Sequence, residues 1–194
     1  LIDDLSRRLG NRDSQNFKFC AGGVACFGVP YYRGPLEELL EERGIANIVS
    51  HNLVEVRGEE QVAVFQTGPE SQTEMKFDFL HVVPPQGPFE FLAKSPLADA
   101  NGFCAVDKGT TQHVKYPNVF GIGDASSLPT SKTAAATVSQ ATVASSNMLD
   151  FMAGRAFSKS YNGYAGCPIV VSNKAAIMAE FGYDGVPMES LRFM

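Results

Sequence analysis

The amino-acid sequence predicts a mixed α/β protein. Its first half alternates a short apolar strand, an amphipathic helix and further strands, which is the pattern of a βαβ unit. In the second half an apolar run ends at Gly123-Asp124, and an Ala-rich helix follows after a loop of small residues. The chain has 194 residues, of which 44% are hydrophobic and 19% charged. It is therefore long and apolar enough to bury a core.

The elements of the first half follow from turn and cap signals. Residues 2–9 are predicted to be helical up to Gly10, and FKFCAGG is predicted to be a short strand that runs into glycines. The stretch YRGPLEELLEERGI predicts an amphipathic helix with Pro35 at its start and Gly44 at its end. NIVSHNLVEVRG and QVAVFQTG are predicted strands, and the second is expected to meet EMKFDFLHVV across a turn near Gly68.

The second half contains two predicted buried strands and one long helix. FLHVVPPQGP is expected to be a buried strand that ends at its double proline, with His81 as a core residue. YPNVFGIGD is expected to be a second buried strand. A helix is predicted from about Ser131 to Ala153, ended by Gly154. Beyond it lie YNGYAGCPIVV and a short helix or turn near KAAIMAEFGYD.

Composition excludes several classes of function. The net charge is −5 and no cluster of Lys and Arg occurs, which argues against a nucleic-acid surface. No apolar run approaches the roughly 18 to 20 residues of a membrane-spanning helix. The four cysteines show no Cys-x-x-Cys spacing and no histidine at zinc spacing, so no metal site is predicted. The first residue is Leu1, so we expect a processed product or a fragment.

The junction at Gly123-Asp124 has the residue types of a ligand site. Gly123 has no Cβ to keep a ligand away from the backbone, and Asp124 is expected at the carboxyl end of a parallel strand, where open α/β sheets bind ligands. A helix beginning near Ser131 would offer free N–H groups to an anion. Lys132 in its first turn would oppose the helix dipole by about 0.3–1 kcal/mol, which favours a binding role. An ordinary strand end with an Asp-Ser turn and a capped helix remains the alternative.

The motifs around this junction resemble one family. GIGDASSLPTSKTAAA, with LHVVPPQGP upstream and YNGYAGCPIVV downstream, is similar to the eukaryotic sulfide:quinone oxidoreductases over essentially the whole chain. The resemblance implies the C-terminal portion only of a flavoprotein with two dinucleotide-binding, Rossmann-like domains, for FAD and for NAD(P). Residues 1–80 would then be part of the second, NAD-type domain and 81–155 the C-terminal part of the FAD-binding domain. Residues 156–194 would be the segment with the redox cysteine.

The resemblance also implies roles for individual residues. Asp124 would bind the ribityl chain of FAD with Gly123 packed beside it, and Lys132 and Thr133 would lie by the pyrimidine end of the flavin ring. Cys167 would be one of a redox-active cysteine pair, which hydrosulfide attacks in its disulfide form. Electrons would pass to the flavin and on to ubiquinone, and a small sulfur acceptor would remove the persulfide sulfur.

The chain departs from that family in two respects. It has no Gly-x-Gly-x-x-Gly fingerprint for the FAD pyrophosphate. The segment expected to carry the partner of Cys167 is also absent, and none of Cys20, Cys26 and Cys104 is expected to take its place. Peripheral association with the mitochondrial inner membrane would depend on parts outside this sequence, and the oligomeric state is undetermined. Two alternatives stay open, a type-II NADH:quinone reductase-like flavoenzyme and an inactive, non-catalytic fragment.

Overall fold

The computed structural model describes residues 1–190 and divides the chain into two compact units. The first unit comprises residues 1–84 and 170–175, and the second comprises 85–169 and 176–190. The helices are Ile2–Leu9 (α1), Pro30–Glu42 (α2), Glu90–Ala93 (α3) and Ala134–Met152 (α4). The strands are Lys18–Cys20 (β1), Ala46–Ile48 (β2), Asn52–Arg57 (β3), Val62–Gln66 (β4), Gln72–Lys76 (β5), Ala165–Val170 (β6) and Ala176–Phe181 (β7).

The first unit contains the predicted βαβ unit and antiparallel ribbon. β1 pairs in parallel with β2, and α2 makes the crossover between them. β3, β4 and β5 form an antiparallel sheet with β4 in the centre. Residues 62–65 of β4 are buried, as expected of a strand with neighbours on both sides. The single strand predicted over NIVSHNLVEVRG is divided into β2 and β3, because Ser50 between them adopts a left-handed conformation with φ of 55°.

Helix α2 begins earlier than the sequence predicted. It starts at Pro30, where the fixed φ of proline suits the first helical turn, and Pro35 lies inside the helix rather than at its start. A proline at that depth cannot donate to a carbonyl one turn back, so the helix tolerates one missing hydrogen bond. The helix ends as predicted, since Gly44 has φ of +62° and donates its N–H to the Glu41 carbonyl.

The second unit has its core beside helix α4. The buried apolar side chains of this core are Leu92, Cys104, Val106, Leu128, Val143 and Tyr161. Helix α4 buries a stripe of positions that recur every three or four residues, namely Ala136, Gln140, Val143, Ala144, Asn147 and Asp150. β6 and β7 pair with each other at the end of the chain, joined by a turn at 171–175. The segment KAAIMAEF, predicted to be a short helix or turn, is therefore mostly a strand.

Neither predicted buried strand of the second half is a strand in this structure. FLHVVPPQGP is irregular and largely exposed, and His81 is exposed rather than in the core. YPNVFGIGD contributes only an isolated bridge between Phe120 and Gln112. The physical reason is pairing, because within residues 1–190 no strand lies beside either segment to complete a ladder. The histidine that is buried is His113, whose Nδ1 accepts from the N–H groups of Lys115 and Tyr116.

Candidate functional site

The Gly-Asp junction is a tight turn rather than the end of a parallel strand. Residues Gly123–Ala125 form one turn of 3₁₀ helix, entered from an extended Ile122. Gly123 has φ of +63°, in the left-handed region that favours glycine, and it donates its N–H to Gln140 Oε1 at 2.7 Å. Asp124 is exposed. The Asp124 side chain is therefore accessible to solvent, while the backbone of the turn is hydrogen-bonded to helix α4 through Gln140.

Helix α4 begins at Ala134, later than predicted. Thr133 is the N-cap, with extended backbone angles, and its Oγ1 accepts a hydrogen bond from Ala136 N at 3.1 Å. The prediction that Lys132 lies in the first helical turn is therefore wrong, because Thr133 caps the helix one residue after it. The N–H groups of Ala134 and Ala135 have no intrahelical acceptor, as at every helix start, so the anion-binding character of this helix end is retained.

Lys132 turns back towards the Gly-Asp turn. Its Nζ donates to the Ser126 carbonyl at 2.7 Å and lies 4.3 Å from the centre of the Phe103 ring, a cation–π contact. Burial lowers the pKa of Lys132, and the nearby carboxylates of Asp124 and Asp99 act in the opposite direction. The ammonium is thus placed between a carbonyl, an aromatic face and two carboxylates.

A shallow depression lies between the turn and the start of α4. It is a concave part of the surface open to solvent rather than an enclosed cavity. Its lining residues are Gly123, Ser126, Leu128, Thr130, Ser131, Lys132, Thr133, Ala136, Thr137 and Gln140. The structure therefore brings together three of the four residues predicted to contact a flavin, and the fourth, Asp124, follows Gly123 directly. The wall is formed largely by small side chains, which suits a flat ligand.

Cys167 lies near the beginning of strand β6 and is a half-buried free thiol. Burial raises the pKa of Cys167, so the side chain is a neutral thiol at neutral pH. Its neighbour Gly166 packs on the first turn of α4, since a Cβ on Gly166 would lie 3.3 Å from Ala135 Cβ. The strand that carries Cys167 is therefore packed beside the helix start that borders the depression.

The other three cysteines are also free thiols. Cys104 is 6% exposed and its Sγ lies against Gly121, where a Cβ would approach it to 2.9 Å. Cys20 and Cys26 are half-buried and belong to the first unit. Burial raises the pKa of each of these thiols. Cys104 thus behaves as a small core residue, as the sequence suggested for most of the cysteines.

Two buried polar residues of this region were not singled out from the sequence. Gln140 and Tyr161 are 2% and 3% exposed, and the Gln140 side-chain amide joins the Gly123 backbone to the Tyr161 hydroxyl. A signal for Gln140 was available, because it is a polar residue in the apolar stripe of an Ala-rich helix. Tyr161 had no comparable signal, since its position in the core depends on contacts distant in sequence.

Two further observations concern residues 1–190 only. No group of three or more His, Cys, Asp or Glu side chains there could hold a metal ion. No helix of the described part of the chain is long and apolar enough to cross a membrane.

Comparison with known proteins relates the whole chain to one group of enzymes, although no protein-family model matches it. The chain is 46% identical over 194 residues to the mitochondrial sulfide:quinone oxidoreductase of Dictyostelium discoideum, and 41% identical over 195 residues to that of Mus musculus. Each alignment covers 100% of this chain and 43% of the relative. The Schizosaccharomyces pombe enzyme is 43% identical over 193 residues, covering 98% of this chain and 42% of the relative. The chain thus spans less than half the length of these curated relatives.

Solved structures show the same fold. A chain in the cryo-EM structure of the Tetrahymena thermophila mitochondrial ATP synthase matches with a TM-score of 0.83 and 28% identity, covering 96% of this chain and 46% of that one. The sulfide:quinone oxidoreductase of Aquifex aeolicus matches with a TM-score of 0.75 and 17% identity, covering 86% of this chain and 42% of that one. LpdA of Mycobacterium tuberculosis matches with a TM-score of 0.51 and 14% identity, covering 85% and 35%.

Proposed function

We propose that this chain, which is related over its whole length to the mitochondrial sulfide:quinone oxidoreductases and corresponds to a part of them, supplies a flavin-facing wall and a reactive thiol to an enzyme of that family. The observation that carries the proposal is a convergence within the second unit. The Gly123–Asp124 turn and the strand with Cys167 both contact the first two turns of helix α4. The identity of 41–46% to named oxidoreductases supports the same conclusion.

The residues in the depression and directly beside it suit one end of FAD. Gly123 lets a ligand approach the backbone, and the exposed Asp124 carboxylate can accept hydrogen bonds from the ribityl hydroxyls. Ala134 and Ala135 offer small side chains and free N–H groups at the positive end of the helix. Lys132 adds a positive charge beside them, which would stabilise negative charge on a reduced ring. The fit extends to this end only, since the chain has no Gly-x-Gly-x-x-Gly for the pyrophosphate.

Cys167 would perform the sulfur chemistry. Hydrosulfide attacks a disulfide between Cys167 and a second cysteine, the S–S bond breaks, and one cysteine becomes a persulfide while the other leaves as a thiolate. A nucleophilic sulfur acceptor then takes the outer sulfur of the persulfide and leaves two reduced cysteines. Bound FAD would accept the two electrons released when those cysteines close to a disulfide again, and a quinone would carry them away as quinol.

The partners and location follow from the same family. We propose hydrogen sulfide, ubiquinone and a small sulfur acceptor as the reactants, and peripheral attachment to the mitochondrial inner membrane as the location. The curated relatives are named mitochondrial, which supports the compartment.

The test is sulfide-dependent quinone reduction by the flavin-loaded protein that contains this chain. We expect Cys167→Ser to abolish it, because serine cannot form the disulfide that hydrosulfide attacks. Cys26→Ser is the matched control, since it removes another half-buried free thiol from the other unit, and it should retain the activity. Full activity in Cys167→Ser would refute the assigned role.

Two other functions remain as outcomes of the test. A type-II NADH:quinone reductase would share the Gly-Asp turn and the helix but would not need Cys167, and its flavin would be bleached by NADH rather than by sulfide. An inactive, non-catalytic fragment is the other alternative, and the identity to named oxidoreductases does not favour it. That alternative predicts a flavin-free protein that neither reductant changes.

A further inference from the structure

A chain of buried hydrogen bonds links the Gly123 turn to the segment before Cys167. Gly123 donates its N–H to Gln140 Oε1 at 2.7 Å, and Gln140 Nε2 donates to the Tyr161 hydroxyl at 3.2 Å. That hydroxyl in turn donates to the carbonyl of Tyr164 at 2.6 Å. Tyr164 directly precedes strand β6, which carries Cys167. The three bonds are called here the amide relay.

The direction of each bond in the amide relay is determined by chemistry. A backbone N–H can only donate, so the oxygen of the Gln140 amide must face Gly123 and its nitrogen must face Tyr161. The Tyr161 hydroxyl accepts that hydrogen bond and donates a hydrogen bond of its own to the Tyr164 carbonyl. Burial raises the pKa of Tyr161, which keeps the hydroxyl protonated and able to donate. One arrangement therefore satisfies every group in the relay.

The burial of the relay makes its members depend on one another. Gln140 and Tyr161 are 2% and 3% exposed, so solvent does not replace a lost partner at either side chain. Removing one link leaves a buried donor or acceptor without a partner, which costs more than the bond itself contributed. A further hydrogen bond, from Thr130 Oγ1 to the Gly163 carbonyl at 2.8 Å, connects the loop between the turn and α4 to the segment before β6.

We propose that Gln140 and Tyr161 are positioning residues that hold the segment carrying Cys167 in register with the Gly123–Asp124 turn. Both side chains are almost fully buried, and the proposal gives neither of them a step in the sulfur chemistry. Their effect acts through the two backbone segments they join, and so through the distance between the thiol and the ring of a bound flavin. The role of this link in sulfide oxidation rests on the proposed function. The link between the Gly123 turn and the segment before β6 does not depend on it.

Amide hydrogen exchange in the 194-residue chain, resolved to single residues by NMR, tests the coupling without any cofactor. In Tyr161→Phe the ring is retained and one hydroxyl is lost, and we expect the Gly123 amide to exchange about tenfold faster although its own acceptor is intact. In Gln140→Leu the link is broken at the helix, and we expect the backbone amides of residues 165–170 to exchange about tenfold faster. Should Gln140→Leu fail to fold, Tyr161→Phe decides the question alone.

Tyr183→Phe is the matched control. Tyr183 lies in the same core, its ring centre is 5.8 Å from that of Tyr161, and its hydroxyl donates to the Lys108 carbonyl at 2.6 Å outside the relay. We expect this variant to change exchange at Gly123 by less than about twofold. The proposal is overturned if Tyr161→Phe leaves the Gly123 amide unchanged, or if Tyr183→Phe accelerates it equally.

A second measurement separates this inference from the proposed function. In the flavin-loaded protein that contains this chain, Tyr161→Phe should slow flavin reduction by sulfide and leave reduction by dithionite, which needs no thiol, unchanged. If the unmodified protein shows no reduction by sulfide, the proposed function fails while the exchange experiment still decides the relay. If Tyr161→Phe slows flavin reduction by sulfide and by dithionite equally, the proposal that Tyr161 positions Cys167 is overturned.

Discussion

At the scale of single residues, Gly123 is the position of the candidate site that least tolerates a side chain. Its φ of +63° lies in the left-handed region, and a Cβ there would come within 3.3 Å of Thr137 Oγ1. Its N–H is engaged by Gln140, which prevents the turn from relaxing freely. The left-handed conformation therefore favours glycine at this position, and an added Cβ would also require the Thr137 side chain to shift slightly.

We expect Gly123→Ala to lower the free energy of unfolding by about 1–2 kcal/mol, since the left-handed conformation costs an L-residue roughly that much. Urea unfolding followed by circular dichroism measures the change. Gly87→Ala is the matched control, because Gly87 lies in the same unit, outside the left-handed region, with no atom within 4 Å of the added Cβ. An equal loss in the two variants would contradict the explanation.

Asp3 is a buried carboxylate of the first unit that is paired with two arginines. It is 5% exposed and lies 2.5 Å from Arg12 Nε and 3.0 Å from Arg7 Nε. Burial raises the pKa of Asp3, but the hydrogen bonds and charges of Arg7 and Arg12 outweigh that effect and hold the pKa below its usual value of 3.8. The folded state therefore binds a proton at Asp3 less readily than the unfolded state does.

This difference predicts a loss of stability in acid. The stabilisation from Asp3 is fully present above the unfolded-state pKa of about 3.9 and is lost as the pH falls through the lower, folded-state pKa. We expect the free energy of unfolding to fall less steeply with acidity below about pH 4 in Asp3→Asn than in the unmodified chain. Urea titrations at several pH values measure the slopes. Asp78→Asn, which removes an exposed carboxyl, should keep the original slope.

At the scale of elements, helix α4 organises the second unit. Its buried stripe includes two amides seven residues apart, and both bind the segment that leads to β6. Asn147 Nδ2 donates to the Lys159 carbonyl at 3.0 Å, and Gln140 Nε2 donates to the Tyr161 hydroxyl. Seven residues are about two helical turns, so the two side chains lie on one face and hold that segment along the helix.

The start of α4 gives a prediction for Thr133. Thr133→Ala should lower the free energy of unfolding by about 1 kcal/mol, because it removes the oxygen that accepts from Ala136 N. Thr133→Ser retains that oxygen and should lose less. Chemical unfolding of the three proteins measures the difference. If alanine and serine proved equivalent, the capping role would be excluded and a contact to a ligand would be the better account of this residue.

Elements with local signals were predicted well, and those that need a distant partner were not. Gly10 and Gly44 ended α1 and α2 as expected, because a left-handed residue terminates a helix whatever surrounds it. The apolar segments before Pro84 and Asp124 were predicted to be strands, yet a strand exists only where another strand pairs with it. β7 shows the converse, since pairing with β6 makes a strand of a segment predicted to be a helix or turn.

At the scale of the whole molecule, the ability of this chain to bind FAD depends on how much of a flavin site it contains. We propose the turn, the helix start and Lys132 as a wall for the ring end of FAD only, and the relatives are more than twice as long as this chain. The pyrophosphate and adenosine carry much of the binding surface of the cofactor, and the fingerprint that would bind them is not in this sequence.

We therefore expect the 194-residue chain to bind FAD weakly or not at all. Gel filtration with added FAD, monitored by the visible absorbance of flavin, should show the cofactor separating from the protein. A stoichiometric yellow complex that survives the column would contradict this expectation and would mean that the wall alone is sufficient. Lysozyme treated in the same way controls for non-specific retention.

The sequence was sufficient for the α/β class and the βαβ unit, because these follow from short motifs and local backbone preferences. Its motifs also carried the resemblance to the family, and the residues proposed to face the flavin rest on that resemblance and stay a prediction. Tertiary contacts were needed to show that α4 starts after Lys132, that Lys132 turns back to the Ser126 carbonyl, and that β6 packs on the first turn of α4. They also produced the amide relay, in which Gly123, Gln140 and Tyr161 meet although each is 17 or more residues from the next. Buried polar groups must find hydrogen-bond partners wherever the fold brings them. The helical pattern can show that a position such as Gln140 is buried, but its partners depend on contacts distant in sequence.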